Sequence, residues 1–226
     1  MDQNLSKQDR TRAEARSRSQ TRLALGATLF VVAIVALMAG MYYLSSREGQ
    51  SQKTTATKLE TSLNFNPTKD RYQGNPEAKT VLIEYADFQC PACKAYAPVL
   101  SDLEKANSQN MVFVYRYFPL YQIHFNAKIS AYAAEAAYRQ GKFWEMHDQL
   151  FATQETWSKM GNQNAKEYFT NIAKNLGLDT TKFAADMNSR EVAQLVDLSY
   201  AGGEQTGVNS TPTLYLMGWS KLIWWP

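Results

Sequence analysis

Two runs of β-branched and aromatic residues bracket one helical stretch, and that arrangement limits the fold more than anything else in the chain. "TVLIEYADF", Thr80 to Phe88, and "MVFVYRYF", Met111 to Phe118, have the composition of buried strands. Between them, "PACKAYAPVLSDLEKANSQ" has a helical pattern with Pro98 inside it, expected to kink the helix. Strand, helix and strand in succession make a crossover unit, so the two strands are predicted to pair in parallel. A long helical block follows. "NAKISAYAAEAAYRQGKFWEMHDQLFA" is rich in alanine and broken at Gly141. Asp179 is placed to cap "TTKFAADMN" after a stop at Gly177. "EVAQLVDLSYAGG" puts Val192, Leu195, Val196 and Tyr200 on one helical face. Strand character returns with "TLYLM" after Pro212. A helical block at about 124–206 is therefore expected inside one α/β domain, 71–226.

The N-terminal part is of another kind. Residues 1–22 hold six basic and three acidic residues, which is the whole net charge of +3. The remainder is neutral, which speaks against nucleic acid as a partner, since phosphate binding needs a clustered basic face. Leu23 to Leu44, "LALGATLFVVAIVALMAGMYYL", carries no charge. As a helix it would reach roughly 33 Å, enough to cross a bilayer core. The basic tail should stay cytoplasmic, and Tyr42 and Tyr43 suit the far interface. Residues 23–44 are read as an uncleaved signal-anchor rather than a cleaved leader. Residues 45–70 are polar and read as a linker, in which "LNFN" is a candidate edge strand.

The chain has two cysteines, Cys90 and Cys93, separated by Pro91 and Ala92. Proline suits the first helical turn, which puts Cys90 at or next to the N-cap. Unpaired amides and the helix dipole stabilise negative charge there, so the Cys90 thiol should ionise readily. Cys93 lies one turn on, where it can attack a mixed disulfide formed at Cys90. A structural disulfide would close a four-residue loop and restrain almost nothing. Zinc needs four ligands, and the other soft ligands are His124 and His147, 23 positions apart. A copper-delivery module using both cysteines and one histidine is the alternative from another class. His124 reads as part of a surface turn and His147 as packing within the insertion, neither as a catalyst. Phe143, Trp144 and Phe151 read as core of the inserted helices. No cofactor and no resident metal are expected.

"VLIEYADFQCPACKAYAPVL", "YFPL", "AAEAAYRQGKFWEMHDQLF" and "GVNSTPTLY", in that order, resemble the DsbA-like thiol–disulfide oxidoreductases. The resemblance runs from about Arg71 to Leu216. It implies a thioredoxin-like fold with an inserted helical subdomain, here preceded by one transmembrane helix. It implies Cys90 as exposed nucleophile and Cys93 as its buried partner. Thr211–Pro212 matches the family's cis-proline element facing the cysteines. Glu84 matches a buried acid that moves protons to and from the second thiol. The implied activity is introduction of disulfides into exported proteins, with a quinone-linked membrane partner for reoxidation; a reductase or isomerase using the same pair is the alternative. Membrane-anchored members of this kind are bacterial, which puts the catalytic domain outside the cell membrane. Two departures stand out. Ala92 occupies a position where strongly oxidising relatives have histidine, with Lys94 as a candidate substitute charge. Only 14 residues follow Pro212, so the family's closing helix is not expected and Trp224 and Trp225 are expected to be exposed.

Overall fold

The computed structural model describes residues 36–43, 63–218 and the backbone of 223–225. Residues 36–43 form a helix, α1, with exposed side chains. Most of the expected span at 23–44 lies outside the described residues. Among the described residues no helix is long and apolar enough to cross a membrane.

Residues from Leu59 onward form a separate compact unit. Its strands are β1 (Arg71–Gly74), β2 (Thr80–Ala86), β3 (Met111–Tyr117), β4 (Thr213–Met217) and β5 (Ile223–Trp225). They form one sheet in the order β1-β3-β2-β4-β5. β2 and β3 pair in parallel, with Glu84 opposite Tyr115, and every other pairing is antiparallel. The crossover between β2 and β3 is helix α2 (Pro91–Asn107), which runs as one element through Pro98.

Alternation along β2 decides what faces α2. Ile83 and Tyr85 point to one side, into a cluster with Leu63, Val114, Phe118, Val208 and Tyr215. Leu82, Glu84 and Ala86 point to the other. Leu82 joins a small group with Leu100 of α2, and Ala86 joins the main core.

The insertion comprises α3 (Ala127–Tyr138), α4 (Phe143–Ala152), α5 (Gln154–Trp157), α6 (Asn162–Asn175), α7 (Thr180–Met187) and α8 (Arg190–Gln205). α3 is its centre. Its alanines at 131, 133, 134, 136 and 137 are buried, and small side chains let α4, α6, α7 and α8 all pack around it. Asp179 caps α7 by accepting from the amides of Thr181 and Lys182. The main core runs without a break from Cys90, Cys93 and Tyr115 through Phe143 and Leu150 to Phe183 and Val196. Sheet and insertion therefore share one core.

Three local expectations are corrected. "LNFN" is not a strand: Leu63 is a fully buried plug and Phe65 packs edge-on against Tyr72. Packed chain thus begins by Leu63, ahead of the expected linker end, and Asp70 is tied to Arg116 at 2.9 Å. On α8, Val192 and Val196 are buried but Leu195 is exposed, because Phe118 and Gly203 set the packed face. A Cβ on Gly203 would stand 2.6 Å from the Phe118 ring, so only glycine permits this approach.

Candidate active site

Pro91 opens α2 and leaves Cys90 as its N-cap, in extended backbone conformation. The Cys90 amide donates to the Asp87 carbonyl at 3.0 Å, and the Cys90 carbonyl accepts the first helical bond from Lys94 at 3.2 Å. The sulfur therefore sits where helix amides lack partners. Both cysteines are free thiols. Cys90 is held at a pKa of about 5, chiefly because Cys93 donates a hydrogen bond to it, with the Thr211 side chain and the amides of Cys93 and Ala92 adding to the effect against the cost of burial. The Thr211 backbone carbonyl, 3.3 Å from Cys90 Sγ, accepts from the thiol and works the other way. The anion-stabilising donors outnumber it. The Thr211 hydroxyl is buried with no other hydrogen-bond partner among the described residues, which leaves it for the sulfur. The Thr211–Pro212 bond is cis.

Cys93 is the opposite case. It is fully buried, and desolvation first, then its donation to Cys90 and the nearby Glu84 charge, push its pKa far up. Glu84 is 2% exposed, not an outward strand residue. Burial, and to a lesser degree Cys90, raise it to about 8. One thiol thus sheds its proton readily and its neighbour keeps it.

Cys90 is less open than an exposed nucleophile: 6% of its surface is accessible, with the Thr211 segment against it and exposed Pro91 and Ala92 beside it. Lys94 does not stand in for a charge at position 92. It reaches Glu155 of the insertion at 2.7 Å instead.

Several residues that sequence reasoning passed over hold this corner. Gln154 donates to the carbonyls of Phe88 and Cys90, at 2.7 and 2.9 Å. Gln89 donates to the Ser158 carbonyl and accepts from the Asn126 amide, so its side chain bridges to the insertion. Buried Asp87 accepts from the amides of Gln89 and Leu120 and lies 2.6 Å from His124 Nδ1. That contact raises the His124 pKa and draws the imidazole toward the site from its turn. Asp87 sits three residues before Cys90, within the segment Thr80 to Phe88 whose composition reads as strand; Gln154 and Asn126 carry no sequence signal at all.

His147 is not confined to the insertion. Its ring lies edge-on to Phe88 and Tyr115 of the sheet side, at 5.6 and 5.2 Å between centroids. Phe143 and Phe151 are buried core, while Trp144 donates to the Tyr72 carbonyl at the sheet edge. Among the described residues no group of three His, Cys, Asp or Glu side chains is placed to hold a metal ion.

A redox-suited dithiol at a helix start, a cis-proline segment against it and a helical insertion over a mixed sheet define a DsbA-like thiol:disulfide oxidoreductase. The family profile described as thioredoxin matches residues 66–220, and the chain belongs to that family. Among solved structures, a thioredoxin-like oxidoreductase from Silicibacter pomeroyi is 29% identical with a TM-score of 0.58, covering 72% of this chain and 86% of that one. The alpha-DsbA1 of Wolbachia pipientis shares the fold at 20% identity, with a TM-score of 0.62 over 73% of this chain and 80% of its own. The Na+/H+ antiporter NhaA 1 of Salinispora arenicola is 34% identical over 152 residues, or 67% of this chain. The chain spans only 22% of that antiporter's length.

Proposed function

We propose that the protein introduces disulfides into exported proteins by exchange through Cys90 and Cys93. The observation that carries this reading is the divergence of the two thiols, one acidic at about 5 and one held protonated. Stabilising the Cys90 thiolate stabilises the reduced enzyme, which makes its disulfide the stronger oxidant. In the cycle, a substrate thiolate attacks Cys90 of the oxidised pair and Cys93 leaves. The second substrate thiolate then attacks its own sulfur in the mixed disulfide and releases Cys90. Glu84 supplies the proton that Cys93 takes up, and Thr211 and Pro212 border the attacked sulfur.

The remaining parts of the proposal concern place and partner. Residues 1–22 form a cytoplasmic tail, 23–44 anchor the chain in the bilayer, and the polar stretch after them holds the catalytic domain outside the cell membrane. A quinone-linked membrane protein returns the pair to the disulfide. The uncharged length of Leu23–Leu44 and its basic flank support this arrangement.

The deciding measurement is the reduction potential of the Cys90–Cys93 pair, read against glutathione, alongside ultraviolet titration of the Cys90 thiolate with Cys93→Ser as control. A potential well above thioredoxin's roughly −270 mV and a thiolate formed below neutral pH are expected. A potential at or below thioredoxin's would turn the assignment to a reductase. A Cys90 that ionises like free cysteine would remove the exchange role.

A further inference from the structure

Beneath α2 lies a pocket of about 80 Å³, lined by Glu84, Ala97, Leu100, Ser101 and His147, with the exposed charged residues Lys105 and Asp148 also on its wall. It therefore connects a buried carboxyl with the surface. Glu84 Oε1 and His147 Nε2 are both buried, and neither has a hydrogen-bond partner among the described residues. Buried side-chain polar atoms in folded proteins are mostly paired, with protein or with ordered water. His147 Nδ1 lies 2.9 Å from Asp148 Oδ1. A carboxylate accepts, so Nδ1 carries the hydrogen and Nε2 is a bare acceptor in the neutral ring. Glu84 in its protonated form is a donor. A donor and an acceptor thus share one small polar cavity, whose volume admits about two waters at roughly 30 Å³ each.

We infer that His147 is the proton outlet of the cysteine pair, passing protons between Glu84 and solvent through water in the pocket beneath α2. This rests on the exchange reading above and adds the route by which its protons travel. When the substrate thiolate forms its bond to Cys90, the Cys90–Cys93 bond breaks and Cys93 departs with the electron pair. The proton that Cys93 then takes up comes from the Glu84 carboxyl. Solvent first protonates the neutral His147 ring to the imidazolium at the pocket mouth beside Asp148. The imidazolium then passes its Nε2 proton through the pocket water to the Glu84 carboxylate, which returns the ring to its neutral form. The substrate gives up two electrons and two protons in all. The pair takes up both electrons and, on Cys93, the equivalent of one proton; the other proton stays in solvent because Cys90 remains a thiolate. His147 touches no reacting atom, so it is a relay and not a catalytic residue. Among the described residues, the titratable or charged groups around its ring are Glu84 on β2, Tyr115 on β3, Lys105 on α2 and Asp148 beside it; Phe88, Phe143, Trp144 and Phe151 close the other directions.

The test is single-turnover reduction of the oxidised full-length protein by dithiothreitol, followed by tryptophan fluorescence over a pH series in H2O and D2O. His147→Gln keeps a polar side chain of similar reach but cannot carry a proton. It is expected to slow the turnover roughly tenfold and to enlarge the solvent isotope effect, with the Cys90 thiolate titration unmoved. Adding Glu84→Gln to it should slow the reaction no further than Glu84→Gln alone, since both lie on one route. An unchanged rate and isotope effect, or an additive loss in the double variant, would overturn the relay. Should His147→Gln fail to fold, the surface change Asp148→Asn decides: a smaller slowing in the same direction supports the relay and an unchanged rate overturns it. Absence of any exchange by the unaltered protein would instead remove the oxidoreductase reading.

Discussion

The sheet meets the inserted helices along two seams, and the two treat buried polar atoms in opposite ways. At the first, Arg71 of β1 and Glu135 of α3 form a bidentate pair at 2.6 and 2.9 Å. Tyr117 donates to the same carboxylate, and the guanidinium also lies 3.6 Å over the Tyr138 ring. Gln89 and Gln154 extend this largely paired region to the cysteine loop, where Asn126 Oδ1 is the exception, buried without a partner among the described residues. At the second seam, under α2, Glu84 Oε1, Tyr115 Oη and His147 Nε2 all lack protein partners among the described residues. The contrast separates two demands. Holding Cys90 in register needs fixed bonds, whereas moving a proton needs groups that can change partners. Leaving polar atoms unpaired inside the fold costs stability, and in this protein that cost is concentrated next to the thiols.

The contrast can be broken most directly at Glu135. Removing it as Glu135→Ala strands the Arg71 charge in the interior, and a loss of about 3–5 kcal/mol is expected by chemical denaturation. A loss under about 1 kcal/mol would mean that the first seam is not held by its polar pairs.

Glu84→Leu should act in the other direction. Below its ordinary value of 4.5 the carboxyl is protonated in both folded and unfolded chains and costs nothing by ionisation. As the pH rises, the unfolded chain ionises while the folded one does not, so stability falls until about pH 8, where the folded group ionises too. The variant lacks this penalty. Its advantage should grow across that window and reach about 3 kcal/mol near neutral pH, read from denaturation curves at several pH values. An advantage independent of pH would place the proton of Glu84 elsewhere.

The smallest effect sharpens the comparison near the site. Gln154→Leu leaves the Phe88 and Cys90 carbonyls without their side-chain donor and should cost about 1–3 kcal/mol. Thiolate titration of Cys90 in the same variant checks whether the loop has also shifted; a stable protein with an unmoved titration would show that the clamp is redundant.

Much of this molecule is legible before folding. The βαβ unit, the helical block and the returning strand follow from patterns of two and 3.6 residues, which are local. The placement of Cys90 at a helix start follows from Pro91, and the cap at Asp179 from its own side chain. The misreadings have a common cause. Lys94 finds Glu155, 61 residues away, and Leu63 fills the far side of the sheet; neither partner is visible from neighbouring residues.

The order of residues alone determined that two thiols would stand one turn apart at the start of a helix, because proline, helix geometry and strand composition act over a few positions. Folding in three dimensions decided how differently those thiols hold their protons, which groups brace them and how one unpaired nitrogen of His147 comes to share a pocket with a buried carboxyl. Those properties depend on burial and on partners brought together from distant parts of the chain, and desolvation has no local signature.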